Sequence, residues 1–243
     1  MSNPRLFLPP HFFRETVLTL PEEESHYLKN VLRMKKGDSL LLLDGKGNFY
    51  RARVESMGKR GVTVRIEEKG KGEDPSFPFI LAQAILKGEK MDFIIQKAVE
   101  LGVKELIPIT TRRTVVKGTR KIHRWREIAR SSAQQCGRYY LPIIYEETPW
   151  EDFLNNYSSG WILYEKGGKP LPQILQEWQG EKKVIVIGPE GGFEEEEVEE
   201  AMERGFEPVS LGKLILRAET ATFYTLSVLK FFLEFKFNFN SPR

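Results

Sequence analysis

The 243-residue chain has one cysteine, three histidines and no long apolar run. Cys136 alone cannot form an internal disulfide, and so sparse a use of cysteine fits a reducing compartment. His11, His26 and His123 are scattered and give no metal-ligand spacing, so no metal is expected. The apolar stretches are strand-sized, such as Val184-Ile185-Val186-Ile187. They fall far short of the roughly 20 residues that cross a bilayer. Met1–Pro10 lacks the basic and apolar regions of a secretory signal, which makes a cytoplasmic protein free of membranes the expectation. There is no Gly-Lys-Ser/Thr phosphate loop, which argues against a nucleotide hydrolase.

What is present is an ordinary globular balance, 40% hydrophobic and 29% charged, with an uneven distribution of charge. Residues 1–72 carry 14 Lys/Arg against 9 Asp/Glu, and residues 87–138 carry 13 against 5. Residues 139–243 reverse the balance, with 10 against 18. Clustered cations attract a phosphate backbone without regard to its sequence; solvated surface faces are the bland alternative.

The first 70 or so residues read as short strands, Leu40–Leu43, Phe49–Met57 and Val62–Glu67, separated by glycine turns. One helix precedes them, opened by Pro21-Glu22-Glu23-Glu24 and striped by Tyr27, Leu28, Val31 and Leu32. This composition suggests a small N-terminal β-barrel over residues 1–72, a common RNA-binding scaffold. The polar linker Lys69–Pro75 then leads to a second domain, residues 73–243. There, strands expected at 79–86, 106–109, 161–164, 184–187 and 209–211 alternate with helices, the pattern of a parallel α/β sheet.

Three strand ends carry ligand-compatible loops. Val184–Ile187 runs into Gly188-Pro189-Glu190-Gly191-Gly192-Phe193 and then the acids Glu194–Glu197. Glycines at the carboxyl end of a parallel strand let a ligand lie directly on the backbone. The acids that follow suit a helix N-terminus and disfavour a bound phosphate. An ordinary tight strand-to-helix turn is the structural alternative. The second loop is Leu211-Gly212-Lys213-Leu214-Ile215-Leu216, followed by Arg217-Ala218-Glu219-Thr220-Ala221; the third is Leu163-Tyr164-Glu165-Lys166-Gly167-Gly168. Three such loops on nearby strands would form one crevice.

The two glycine motifs resemble the C-terminal motifs of the RsmE-type small-subunit ribosomal RNA uridine-N3 methyltransferases of the SPOUT superfamily. Lys87–Met91, Gln96–Val103, Pro108, Gln134–Arg138 and Pro142 follow in family order, and His26, Val31-Leu32-Arg33, Gly37-Asp38 and Asp44-Gly45 match in the first domain. Val99 and Cys136 depart from the common pattern.

The resemblance implies a SPOUT-type α/β fold with a C-terminal trefoil knot, preceded by a PUA- or OB-like barrel. It implies bent S-adenosylmethionine as the methyl donor, held by Leu163, Tyr164, Glu165, Gly188, Pro189, Glu190, Gly191, Gly192, Leu211, Gly212, Leu214, Ile215 and Leu216. It also implies a homodimer, with the apolar segment Thr220–Phe235 supplying part of the interface, and ribosomal RNA or the assembled small subunit as partner. Uridine N3 must lose a proton before it attacks, so the site needs a proton acceptor and donors for the resulting anion. Arg217 is the expected anion-stabilising residue, and Glu219 either orients it or takes the proton. RNA contacts are expected from Arg33, Lys35, Lys36, Arg51, Arg53, Lys59 and Arg60, and from Arg112, Arg113, Lys117, Arg120, Lys121, Arg124 and Arg138. A related enzyme acting on transfer RNA or at the ribose 2′-hydroxyl, and a non-catalytic RNA-binding module, are the competing readings.

Overall fold

The computed structural model describes residues 3–59, 61–73 and 77–235. Arg60 of the expected RNA-contacting set and Asp74-Pro75 of the expected linker lie outside them. The chain forms two compact units, Met1–Pro75 with Ala133–Leu141, and Ser76–Ser132 with Pro142–Arg243.

The first unit contains β1 (Arg5–Phe7), β2 (Val17–Thr19), α1 (Glu22–His26), β3 (Ser39–Leu43), β4 (Asn48–Gly58) and β5 (Gly61–Lys71). α1 opens with Glu22, Glu23 and Glu24, which favour its positive end, and runs into a π-helical turn, Tyr27–Val31. The strands pair in the order β1-β3-β4-β5-β2, parallel between β1 and β3 and antiparallel elsewhere. Alternate residues Leu40, Leu42, Ala52, Val54, Val62 and Val64 turn inward with Leu6, Leu18 and Leu28 to form one core. The pairing does not return from β2 to β1, so the barrel is open at that seam. The unit is completed by a segment far along the chain. Leu141 N–H donates to Gly45 O at 2.9 Å and Gly47 N–H to Tyr139 O at 3.2 Å. Gly47 has φ +96°, and a Cβ there would run into the Tyr140 ring.

The second unit begins with β6 (Phe79–Ala84), α2 (Lys90–Glu100), β7 (Glu105–Thr110) and α3 (Ile122–Cys136), the last turn of which, from Ala133, counts with the first unit. Then come β8 (Ile143–Ile144), β9 (Thr148–Pro149), α4 (Trp150–Asn156), β10 (Gly160–Leu163), β11 (Lys169–Pro170) and α5 (Leu171–Glu177). The last four elements are β12 (Lys183–Ile187), α6 (Glu195–Glu203), β13 (Phe206–Ser210) and α7 (Ala218–Leu233). The sheet is parallel throughout, in the order β11-β13-β10-β12-β6-β7-β8, with β9 added beside β7. Its central strands are buried on both faces, which is why Val184–Ile187 of β12 reads as an unbroken apolar run and β6 is apolar but for Gln83.

The order places the site. The chain builds β6, β7 and β8 outward, jumps back to lay β10, and then inserts β12 between β10 and β6. Ligands bind beyond the carboxyl ends of parallel strands where the winding direction reverses. α7 then returns to pack on α2 and β12. It buries Ala218, Thr222, Thr225, Leu226, Leu229 and Leu233 as one stripe, and Thr222 Oγ1 donates to Gln83 Oε1 of β6 at 2.6 Å. Tyr224, Phe231 and Phe235 remain exposed, whereas Leu226 and Leu229 are core. No helix of the described residues is long and apolar enough to cross a membrane.

Candidate methyl-donor site

The loops after β10, β12 and β13 meet around one cavity of about 250 Å³. All the residues expected to hold a donor line it, from the β10 end (Leu163, Tyr164, Glu165), the β12 loop (Gly188–Gly192) and the β13 loop (Leu211, Gly212, Leu214–Leu216). Ile187, Phe193, Val209, Ala218 and Ala221 complete the lining and were not expected from the sequence.

The β12 loop is a tight turn in which Gly192 N–H donates to Pro189 O at 3.0 Å. Gly192 has φ +69°, and a Cβ on it would lie 2.8 Å from Glu165 Oε1. A side chain there would strain the backbone and make the Glu165 carboxylate swing aside. Gly188 packs on Phe193, and a Cβ on it would come within 3.0 Å of the ring; Phe193 in turn is buried beside Trp150. The opposite wall is different in character. Leu214 and Ile215 are 81% and 83% exposed on the loop after β13. Two aliphatic side chains so open to water, at the mouth of a cavity walled by glycine backbone, fit a ligand with an apolar or aromatic body.

Ion pairs brace the glycine loop from behind. Arg113 grips Glu194 with two hydrogen bonds, 2.7 and 2.8 Å, and donates to Gly191 O at 2.7 Å. The Arg112 amide donates to buried Glu197 at 2.7 Å, and Glu197 and Glu194 form the capping box of α6. The acids after the glycines thus secure the helix start. The Arg113 hydrogen bond holds the Glu194 carboxyl below the ordinary carboxylate range. Burial pushes Glu190 upward, but bonds from its own amide, the Lys87 amide and the Lys90 ammonium outweigh that and leave it lowered.

Arg217 precedes α7 as its N-cap residue, exposed beside the cavity-lining Leu216 and Ala218. Glu219 does not pair with it. Its Oε2 is buried without a hydrogen bond and lies 3.7 Å from the Lys90 ammonium.

The residues expected to meet RNA fall into distinct states. Arg33 is exposed with φ +53°, a strained conformation for a side-chain-bearing residue, next to the π-helical turn. Arg51 pairs with Glu68 at 3.2 Å, and Arg53 binds both Glu67 oxygens and Gly37 O. Arg113 is spent on the glycine loop, as described above, and Arg112 and Arg124 are paired with acids. Arg138 is half-buried in the segment 133–141. The cation count of the sequence therefore overstates the charge free to meet a phosphate.

A family model described as an RNA methyltransferase domain matches residues 73–230, and one described as an RNA methyltransferase PUA domain matches residues 20–67. The ribosomal RNA small subunit methyltransferase E of Synechocystis is 32% identical, over 95% of this chain and 78% of its own length. This chain belongs to that family. The Bacillus subtilis member is 31% identical over 86% of this chain and 88% of its own. A Neisseria gonorrhoeae member, solved bound to S-adenosyl methionine, superposes with a TM-score of 0.85 at 31% identity, covering 95% of this chain and 98% of that one. A Legionella pneumophila methyltransferase in complex with the same cofactor gives 0.86 at 32% identity, with coverage of 95% and 98%. Family membership makes the chain an RNA methyltransferase with a SPOUT-type α/β domain and a PUA-like N-terminal domain.

Proposed function

We propose that this enzyme uses S-adenosylmethionine to methylate N3 of a uridine in small-subunit (16S) ribosomal RNA, in the cytoplasm and as a homodimer. The observation that carries the reading is the convergence of the three strand-end loops on one backbone-lined cavity, in a fold shared with relatives solved with that donor. Residues 73–243 would carry out the transfer and residues 1–72 would dock the RNA, with Arg33 and Arg138 as the leading contacts. The paired Arg51, Arg53 and Arg113 would contribute mainly by shaping the surface.

When bound, the donor supplies a methyl group on a positively charged sulfur. The protein's task is to present the base in line with that methyl, at about 3–3.5 Å, and to stabilise the base once it has lost its proton. The bond formed is N3–CH₃ and the bond broken is CH₃–S; the N3 proton leaves to an acceptor, and the negative charge spreads to the two flanking carbonyl oxygens. Arg217, always charged and exposed beside the cavity, suits those oxygens. Glu219 serves from behind this wall through Lys90.

Dimerisation is supported by the exposed aromatic residues of the C-terminal segment, Tyr224 and Phe231 in α7 and Phe235 beyond it, together with half-exposed Phe93, which packs edge-on against Phe223. The substrate test uses purified enzyme with methyl-labelled donor, offered naked 16S RNA, assembled small subunits or transfer RNA. Label should pass to 16S RNA in one of the first two; transfer to transfer RNA alone would replace this substrate by another.

A further inference from the structure

Lys90 is the first residue of α2, where a cation opposes the positive end of the helix dipole, while Asp92 in the same turn favours it. The Lys90 ammonium has acidic partners of its own. The partners are remote. The Lys90 ammonium lies 3.2 Å from Glu190 Oε1, 100 residues away, and 3.7 Å from Glu219 Oε2, further still.

These two carboxylates come from segments on two sides of the cavity, the glycine loop and the start of α7. Glu190 is at the turn of the glycine loop, where it also accepts the Lys87 N–H at 3.1 Å. Glu219 is in the first turn of α7, between the cavity-lining residues Ala218 and Ala221, and does not itself line the cavity. Its Oε2 has no hydrogen bond, so the ion pair with Lys90 is what compensates its burial.

We propose that Lys90 is a positioning residue for methyl transfer, its ammonium clipping the Gly188–Gly192 loop to the start of α7 and fixing the gap between the two walls. The role rests on the cavity being the donor site. Without the ammonium, Glu190 and Glu219 face one another as like charges and the walls separate. The ground-state fit of the donor then suffers first. Turnover at saturating donor suffers less, because saturation draws the walls back together.

The test is titration calorimetry of S-adenosylmethionine with Lys90→Met, Lys90→Arg, Glu219→Gln and the Lys90→Met/Glu219→Gln double variant, alongside KM and kcat for transfer. Lys90→Met should raise the donor Kd and KM about 10-fold while kcat falls less than about 3-fold. Lys90→Arg, which can still reach two carboxylates, should stay within about 3-fold of the parent. Glu219→Gln should weaken the donor too, and the double variant should bind no more than about 2-fold worse than the weaker single one, since both break one link. A structural role alone would lower the melting temperature and the active fraction, leaving KM in place and showing no rescue by arginine. Unchanged donor affinity in Lys90→Met, or losses that multiply in the double variant, would overturn the clip. Should Lys90→Met fail to fold, Glu219→Gln decides by its donor affinity. A parent enzyme that binds no donor takes down the donor reading itself, an outcome distinct from failure of the clip.

Discussion

Arg113 Nη1 donates to the carbonyl of Gly191 at 2.7 Å while the rest of its guanidinium holds Glu194. A side chain from the loop after β7 therefore fixes the backbone of a turn whose other face lines the cavity. Arg113→Ala should loosen that turn, raising the donor Kd several-fold, on the order of 1 kcal/mol. Arg113→Lys should recover little, because a point charge cannot serve two carboxylate oxygens and a carbonyl together. Titration calorimetry on both variants checks this, and undiminished affinity in the alanine variant would show that the brace is dispensable.

The pH dependence follows from the same braces. Glu190 and Glu194 are both lowered in the folded state relative to an unfolded value of about 4.3. Their contribution is complete above the unfolded value and is lost as the pH falls through the lowered folded ones. The stability these two groups contribute should therefore be flat from about pH 6 to about pH 8 and decline only below about pH 4.5 in chemical denaturation. A loss of stability near neutrality would point to a different group.

Gly192 and Gly212 make a matched pair of substitutions. Both have positive φ, but a Cβ on Gly192 strikes Glu165, whereas one on Gly212 meets nothing within 4 Å. Alanine at Gly212 should cost only backbone strain, about 1–3 kcal/mol of stability. Alanine at Gly192 should cost backbone strain of the same order and also weaken donor binding several-fold, because the Glu165 carboxylate that lines the cavity must swing aside. Chemical denaturation paired with calorimetry separates the two; equal donor affinities would mean that the Glu165–Gly192 approach has no bearing on the site.

Much of this site was legible in the chain because its parts are short-range. The run Val184–Ile187 followed by glycines marks a buried strand and a backbone-lined loop with no long-range information, and the second and third loops are read the same way. The open barrel was only half legible. β3 reads as an apolar run, β4 alternates in part and β5 more clearly, but β1 and β2 are three residues each, too short to show a period of two, and are held by pairing to distant strands. The place of 133–141 in the first unit and the Glu190–Lys90–Glu219 link are likewise set by tertiary contact. Charge counting misled for a related reason. Arg51 and Arg53 stand in a strand whose neighbour brings Glu68 and Glu67 alongside them, and composition does not record pairing.

The dimer is tested by its exposed aromatic face. Light scattering at micromolar concentration should give twice the 28.2 kDa chain mass. Phe231→Asp, which places a charge where a ring is 69% exposed in the single chain, should shift the population toward monomer without unfolding it. A monomeric parent would exclude this face as a dimer interface.

The central claim, transfer of a methyl group to uridine N3, is tested most directly by mass spectrometry of the nucleosides released from 16S RNA or small subunits after a single turnover. The parent enzyme should yield 3-methyluridine, and Arg217→Ala should yield it about 10²-fold more slowly while binding donor almost normally. A ribose 2′-O-methylated nucleoside, or no methylated nucleoside at all, would contradict the account.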